Sequence, residues 1–186
     1  MIEERPFALH ITWTCYGTWL PGDERGHVSN ILLPEGGYLP KQNVAGAPIA
    51  AGDAYTKQRA QSLQKGPTVL LTADEALVAA RALVKATQAR SWVIVRGAVM
   101  ANHVHVLVTN CPDDGPAVRR ILKGVSQAAL CETTGRSQRW WTAGGSDRYK
   151  HGRAAIEAAI RYIADQDYKL AEIENMVARP VFSQKN

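Results

Sequence analysis

Residues 92–110 of the chain, WVIVRGAVMANHVHVLVTN, decide its fold. They contain two runs rich in β-branched residues, 92–100 and 103–110, that only two residues separate. Such a spacing is typical of a β-hairpin with a tight turn. Successive side chains of a strand point to opposite faces, so His103 and His105 share one face while the valines that follow each of them share the other. The hairpin therefore predicts a sheet with one apolar face and one polar face.

Helical patterns lie on both sides of this hairpin. The segment Thr72-Ala-Asp-Glu75 has the residue types of a capping box, and apolar residues follow it at helical spacing to about residue 90. After the hairpin, an acidic start with Pro116 in the first turn opens a second helix, whose apolar stripe runs to about residue 129. Each strand of the hairpin is thus next to a helix in the sequence.

The two ends of the chain complete the order of elements. Residues 7–19 alternate between apolar and polar, as a half-buried strand does. Residues 140–149 predict a short strand that two glycines interrupt, and residues 152 to about 173 have the apolar spacing of a single helix. The order β-α-β-β-α-β plus one helix predicts an α+β fold, a ferredoxin-like antiparallel sheet with an added C-terminal helix that carries Tyr162.

Length and composition exclude several classes of protein. With 186 residues, 46% of them hydrophobic, the chain can form one domain with a real core, and intrinsic disorder is not expected. Its longest apolar run, residues 76–80, is far shorter than the roughly 20 residues of a membrane span. Three cysteines, odd in number and far apart, favour a reducing compartment over a disulfide framework. We therefore expect a cytoplasmic protein that has no membrane partner.

Residues 21–66 break the regular pattern. They hold 11 of the chain's 24 glycines and prolines and show no sustained period. Structureless segments of this length inside a compact domain are uncommon and are usually functional or disordered. We predict a long Gly/Pro-rich insertion inside a single domain that spans residues 1–186.

The positive charge of the chain is concentrated in one stretch. The formal net charge is +5, and residues 114–153, with eight basic and three acidic side chains, carry all of it. Basic residues next to aromatic ones are typical of surfaces that neutralise a nucleic-acid backbone and stack unpaired bases. The candidate DNA-binding residues are Arg119, Arg120, Lys123, Arg136, Arg139, Trp140, Trp141, Arg148 and Lys150. The alternative is that the two tryptophans belong to the core and the charges to a solvated face.

His103 and His105 form a candidate metal site. Two imidazoles on one face of a strand can place two nitrogens on one ion, and imidazole is largely neutral at neutral pH. Tyr162 and Gln166 share a helix face, so the carboxamide oxygen can be a third ligand, with the phenol nearby, if this helix packs on the histidine face. The alternatives are a solvated sheet face, an interfacial tyrosine and a surface glutamine. His10, on the neighbouring strand, is an accessory candidate.

These motifs resemble those of single-tyrosine HUH transposases of the insertion-sequence 200/605 type and of their REP-associated tyrosine transposase relatives. His103-Val-His105, which follows a Met-x-Asn turn, is similar to the His-hydrophobe-His motif of that family. Tyr162 and Gln166 are similar to its nucleophile and to one of its metal ligands. Residues 16–26, YGTWLPGDERG, resemble a segment of a subset of transposase-like proteins. The resemblance extends over most of the chain.

The resemblance implies a reaction and its requirements. Tyr162 is then the nucleophile, while His103, His105 and Gln166 hold a divalent metal ion, Mg²⁺ or Mn²⁺. The implied partners are single-stranded or hairpin DNA and a second copy of the chain, with the tyrosine helix docking on the partner subunit of a homodimer. The implied setting is a bacterial or archaeal cytoplasm. Tyr168 competes on position alone, but on a continuous helix it would lie about 120° away from the Tyr162 face.

Three hypotheses of function follow. The leading one is a metal-dependent transposase that cleaves and rejoins DNA strands through a covalent 5′-phosphotyrosine. The second is a domesticated DNA- or RNA-binding protein that keeps the scaffold and does not cleave. The third is a replication-initiator or relaxase type of HUH nickase, which gathers more histidines around its metal, and His10 as a true ligand would favour it.

Overall fold

The structure, a computed structural model, describes residues 7–23, 52–112 and 114–181. These ranges contain β1 (Phe7–Thr14), α1 (Ala54–Ser62), α2 (Ala73–Gln88), β2 (Val93–Met100), β3 (His103–Thr109), α3 (Gly115–Thr134), β4 (Ser146–His151), α4 (Arg153–Ala164), β5 (Lys169–Glu174) and β6 (Val177–Pro180). Within them, no helix is long and apolar enough to cross a membrane.

The strands form one antiparallel sheet in the order β4-β1-β3-β2-β5-β6. The first four strands, with α2 and α3 between them along the chain, have the predicted β-α-β-β-α-β order. The β2–β3 hairpin lies where its sequence places it, with Val99 opposite Val104 across the turn. The predicted α+β class is therefore confirmed.

One face of the sheet carries the main hydrophobic core. α2 and α3 pack there against large side chains such as Ile11 and Trp13 of β1, together with the valines of β3. α2 begins at the predicted capping box, in which Thr72 Oγ1 accepts the Glu75 N–H and the Glu75 carboxylate accepts the Thr72 N–H at 2.9 Å. Burial of this apolar surface is the chief source of stability.

The opposite face is covered only in part, by α4. Ala159 and Ile163 of α4 pack with Ala98, Met100 and Leu107 in a second, smaller cluster. Sheet positions beside this cluster are polar. The two faces of the central strands thus have the apolar and polar character that the alternation in the sequence predicts.

The C-terminal helix is shorter than the sequence predicts. α4 ends at Ala164, and the residues predicted to continue it form β5, which pairs with β2. Ala171 and Ile173 are both buried, a spacing of two that belongs to a strand. Tyr168, with a φ of 56°, lies in the turn between the two elements. The prediction of one helix to about residue 173 is wrong, and β5 and β6 extend the sheet instead.

Two other strands have different bounds from the predicted ones. β1 ends at Thr14 and does not continue to residue 19. β4 begins at Ser146, after the glycine pair, and Trp141 makes only an isolated bridge to Cys15. Positive φ angles at both glycines of the pair break the extended backbone, so pairing starts after them.

The predicted insertion, residues 21–66, is described only at its two ends. α1 lies in a stretch that we predict as loop, and Asp53 caps it by accepting the N–H groups of Tyr55 and Thr56. No residue of α1 is buried, so apolar periodicity could not reveal it. The rest of the predicted insertion, residues 24–51, lies outside the described residues, and the single domain over 1–186 stays a prediction.

Candidate active site

Three histidine rings lie together on the polar part of the sheet face that α4 partly covers. The antiparallel register sets Thr12 of β1 opposite His105 of β3, which brings His10 close to His105. His10 Nε2 lies 3.1 Å from His105 Nδ1. The ring centroids of His103 and His105 are 5.0 Å apart. The structure thus places both predicted ligands and the accessory candidate in one cluster.

Tyr162 reaches this histidine cluster from α4. Ala159 and Ile163, its neighbours along the helix, are buried against the sheet and fix the orientation of α4. The Tyr162 ring centroid lies 5.6 Å from that of His105 and 5.8 Å from that of His10. The side chain is 53% exposed, so a ligand can approach the phenol beside the imidazoles.

Gln166 lies just past the end of α4 and lines the same cleft as the histidines. Its Nε2 donates to the backbone carbonyl oxygen of Tyr162 at 3.0 Å. This hydrogen bond orients the carboxamide and makes its oxygen the atom suited to a cation. The tyrosine and the glutamine therefore line the same cleft as the histidine pair, with Gln166 placed beyond the end of α4.

Tyr168, the competing tyrosine, does not lie in this cleft. Its side chain is 90% exposed and is not among the residues that line the cleft. The reason differs from the predicted one, because Tyr168 follows the end of α4 and has no position on a helix face. Of the two tyrosines, Tyr162 is the one beside the imidazoles.

Burial keeps two of the imidazoles neutral. Burial, with smaller contributions from His103 and His10, lowers the pKa of His105 to about 3. Burial, followed by the charges of Lys150 and Arg148, lowers the pKa of His10 to about 4. A neutral imidazole has the lone pair that metal binding requires.

The residue types in the cleft suit a divalent metal ion when Gln166, which lines the same cleft as the histidines, is included. Among residues 7–23, 52–112 and 114–181, no group of three His, Cys, Asp or Glu side chains is arranged to hold a metal. His10 Nε2 faces His105 Nδ1, which is not the arrangement of a third histidine ligand. Two imidazole nitrogens and a carboxamide oxygen form a mixed set, which by ligand softness suits Mn²⁺ better than Mg²⁺.

Three of the predicted DNA-binding residues line the cleft, which encloses about 1240 Å³. Arg148 of β4 lies opposite His10 in the β1–β4 register, and Lys150 is two residues further along the same face. Arg119 reaches the cleft from α3 and forms an ion pair with Asp147. A positive rim next to the neutral rings suits a polyanion such as nucleic acid.

The two predicted stacking residues belong to the core. Trp140 is fully buried, and Trp141, 4% exposed, meets Trp13 edge-on with ring centroids 5.9 Å apart. The guanidinium of Arg136 lies 4.6 Å from the centre of a Trp140 ring. Bases cannot stack on rings enclosed by protein, so the prediction of a stacking role for Trp140 and Trp141 is wrong and the core alternative holds.

The outer arginines lie away from the cleft. Arg136 forms an ion pair with Glu75, and the Arg139 guanidinium lies 5.6 Å from the centre of the Tyr16 ring. Arg120 is exposed on α3. None of these three arginines lines the cleft, so their predicted contact with DNA finds no support in its geometry.

The loop between α3 and β4 lines the cleft and contacts both α3 and β1. Lys123 donates to the backbone carbonyl oxygens of Thr142 and Gly144, and its predicted contact with DNA stays a prediction. Gly145 has a φ of 148°, and a Cβ at this position would lie 2.6 Å from the carbonyl oxygen of Thr12. Only glycine fits this close approach.

Sequence reasoning missed the hydrogen-bond partners of the histidine pair. Thr12 Oγ1 lies 2.9 Å from His105 Nδ1, and Asn102 Oδ1 lies 2.6 Å from His103 Nδ1. The alternation in residues 7–19 places Thr12 on the polar face, and Asn102 immediately precedes the motif. For Thr12 the missing signal was the register between β1 and β3, which only the folded sheet provides.

No family model matches the chain, and no curated protein matches it. It is similar to a solved structure of a REP-associated tyrosine transposase bound to a REP hairpin, with 12% identity and a TM-score of 0.43. The match covers 86% of this chain and 65% of the other, so this chain spans slightly less than two thirds of that protein. At this degree of likeness, function must be argued from the site.

Proposed function

We propose that this chain is a metal-dependent DNA strand transferase that cleaves and rejoins single-stranded or hairpin DNA through a 5′-phosphotyrosine on Tyr162. One observation carries the proposal. The half-exposed Tyr162 ring lies 5.6 Å from His105 and 5.8 Å from His10, between ring centroids, in a cleft with basic residues on its rim. A candidate nucleophile, candidate metal ligands and basic side chains that could bind phosphate therefore occur together.

The proposed reaction exchanges one phosphate ester for another. The phenolic oxygen of Tyr162 loses its proton and attacks phosphorus, and the bond between phosphorus and the 3′ oxygen breaks. The leaving 3′ oxygen takes up a proton, and the 5′ phosphate remains esterified to Tyr162. Attack by a 3′ hydroxyl on this ester reverses the step and rejoins a strand without water or an external energy source.

His103, His105 and Gln166 would hold the metal ion, Mn²⁺ or Mg²⁺. When bound, such an ion supplies Lewis-acid polarisation of the scissile phosphate. The chain's own contribution is to keep His105 neutral by burial and to orient the Gln166 carboxamide through its hydrogen bond to the Tyr162 carbonyl. The packing of Ile163 keeps the phenol beside the imidazoles.

Arg148 and Lys150 would bind the DNA backbone. Both lie on the histidine face of β4, which places their charges along one side of the cleft. Phosphates held there position the scissile bond without reading base sequence. Single-stranded or hairpin DNA fits best because a flexible backbone can bend into the cleft and reach the phenol.

The decisive experiment is the trapping of a covalent adduct. The protein is incubated with fluorescently labelled hairpin oligonucleotides and Mn²⁺ or Mg²⁺, and the products are separated on a denaturing gel. We expect an adduct that resists denaturation and that Tyr162→Phe abolishes, while Tyr168→Phe, the matched control, retains it. His103→Ala should also abolish it, because the metal is then lost.

Other outcomes would change the proposal. Binding of hairpin DNA with no adduct, across metals and sequences, would favour the domesticated binding protein. An adduct that persists in Tyr162→Phe would move the nucleophile to another residue.

A homodimer is part of the proposal, and light scattering with and without hairpin DNA measures it. In this chain α4 packs on its own sheet, so a single copy can bring Tyr162 to its own histidines.

A further inference from the structure

His103 and His105, the two histidine candidates for metal binding, have similar surroundings at one ring nitrogen. In each, the Nδ1 atom is engaged by a neighbouring polar group of the protein. His103 Nδ1 lies 2.6 Å from Asn102 Oδ1, and His105 Nδ1 lies 2.9 Å from Thr12 Oγ1. The partners come from different elements, Asn102 from the β2–β3 turn and Thr12 from β1.

The contact to Asn102 determines where the proton of neutral His103 lies. A carboxamide oxygen can only accept, so His103 Nδ1 must donate and must carry the proton. A neutral imidazole has one ring proton, which places the lone pair on Nε2. Backbone hydrogen bonds hold Asn102 itself in place. Its carbonyl oxygen accepts the Cys15 N–H at 2.8 Å and the Thr18 hydroxyl at 3.1 Å.

His105 is engaged at the same ring atom by β1, where its Nδ1 lies 2.9 Å from Thr12 Oγ1, a hydroxyl that can donate or accept. Its Nδ1–H can donate to Thr12 Oγ1 and, at 3.1 Å, to the Nε2 atom of His10. A proton shared between two acceptors is a three-centre hydrogen bond. Because Thr12 and His105 are opposite each other in the register, the strand pairing itself sets this contact. His105 is 6% exposed, so little water competes for Nδ1.

We infer that Asn102 and Thr12 are positioning residues that hold His103 and His105 in the Nδ1–H tautomer, which makes Nε2 the atom of each ring that would bind a divalent metal ion. His10 supports this arrangement as a second acceptor for His105 Nδ1–H and is not itself a ligand. The tautomer of His103 follows from its contact with the Asn102 carboxamide oxygen, whereas that of His105 is part of the inference, since both of its partners can donate or accept. The use of either ring in metal binding rests on the proposed function. Partners of this kind fix ring orientation in metal sites, and their loss typically weakens metal binding by about 10–100-fold.

The first test is nitrogen NMR of the metal-free protein with ¹⁵N-labelled histidine. We expect the neutral rings of His103 and His105 to show protonated Nδ1 and unprotonated Nε2, with each residue assigned through His103→Gln and His105→Gln. Spectra that place the proton on Nε2 in either residue would overturn the inference. This measurement needs neither metal nor DNA, so it is independent of the adduct experiment.

The second test measures Mn²⁺ affinity by electron paramagnetic resonance. Asn102→Ala and Thr12→Val should each weaken Mn²⁺ binding by about 10–100-fold. Asn102→Asp and Thr12→Ser keep an acceptor at each position and should restore affinity close to that of the parent protein. Unchanged affinity in Thr12→Val or Asn102→Ala, with the fold intact by circular dichroism, would overturn the positioning role. Absence of Mn²⁺ binding in the parent protein would instead refute the proposed function, and the tautomer spectra would still decide the inference.

Discussion

The two faces of the sheet differ in what they bury. α2 and α3 cover one face with a continuous core that contains large, fully buried side chains such as Trp13 and Leu122. α4 covers only part of the other face, where Ile163 anchors a small cluster, and the rest holds His10 and His105 beside an open cleft. The large core lies on the first face, and the candidate catalytic side chains lie on the second.

The difference between the two faces is visible between neighbouring residues of a single strand. In β1, Ile11 and Trp13 point into the core, while His10 and Thr12 point toward the cleft. Neighbouring substitutions on β1 should therefore have different consequences, because the two sets of side chains contact different elements. Substitutions on one face should therefore leave the properties of the other face unchanged.

Trp140 provides the strongest test of the core face. Trp140→Ala should lower the free energy of unfolding by about 3–5 kcal/mol, because it empties a fully enclosed space and removes the ring beneath the Arg136 guanidinium. Urea denaturation followed by circular dichroism measures this. Trp140→Phe keeps part of the volume and should cost less. Weaker binding of single-stranded DNA with unchanged stability would instead place Trp140 on the DNA surface.

Ile163 tests how α4 is held on the cleft face. Ile163→Ala should lower the free energy of unfolding by about 2–3 kcal/mol, near the lower end for such truncations because its cluster is small. It should also speed amide hydrogen exchange in α4 more than in α2 or α3. The exposed neighbour Arg161→Ala is the control and should change neither quantity. Equal exchange in the variant and the parent would mean that other contacts hold α4.

Gly145 tests the junction between the cleft and β4. Gly145→Ala should lower stability by about 2 kcal/mol, because φ is 148° and the added Cβ would crowd the Thr12 carbonyl oxygen. Gly144→Ala is a matched control, since Gly144 also has a positive φ of 85° but has open space around a Cβ. It should cost only about 1 kcal/mol. Thermal unfolding of the two variants compares them, and equal losses would show that the close approach at Gly145 has no energetic weight.

Most of the fold could be predicted because each central element has a sequence pattern that fits one type of secondary structure. The capping box at Thr72, the alternation in residues 7–19 and the two-residue hairpin connection each indicate one structure. The end of α4 was missed because buried residues of β5, such as Ile173, continue the helical spacing of Ile163 by coincidence. α1 was missed because it buries no residue and so has no apolar stripe.

The candidate site was predictable in its residue types and not in its geometry. The spacing of His103 and His105, and that of Tyr162 and Gln166, indicated which residues share a direction. Distances between strands depend on register, so Thr12 could not be recognised as the partner of His105. Trp140 was misplaced because a basic, aromatic segment has the same composition whether its rings stack on bases or fill a core.

Arg148 offers the smallest but most specific test, because it asks which surface DNA follows. Arg148 lies on the histidine face of β4 and lines the cleft, while Arg120 has the same charge and is exposed on α3 outside the cleft lining. Arg148→Ala should remove about one phosphate contact, reducing the slope of log affinity against log salt concentration by about 1. Arg120→Ala should leave the slope unchanged. Fluorescence anisotropy with a labelled oligonucleotide, in the Tyr162→Phe background and without metal, separates binding from reaction. A larger change in Arg120→Ala than in Arg148→Ala would move the DNA path from the cleft to α3, and the division of roles between the two faces would then fail.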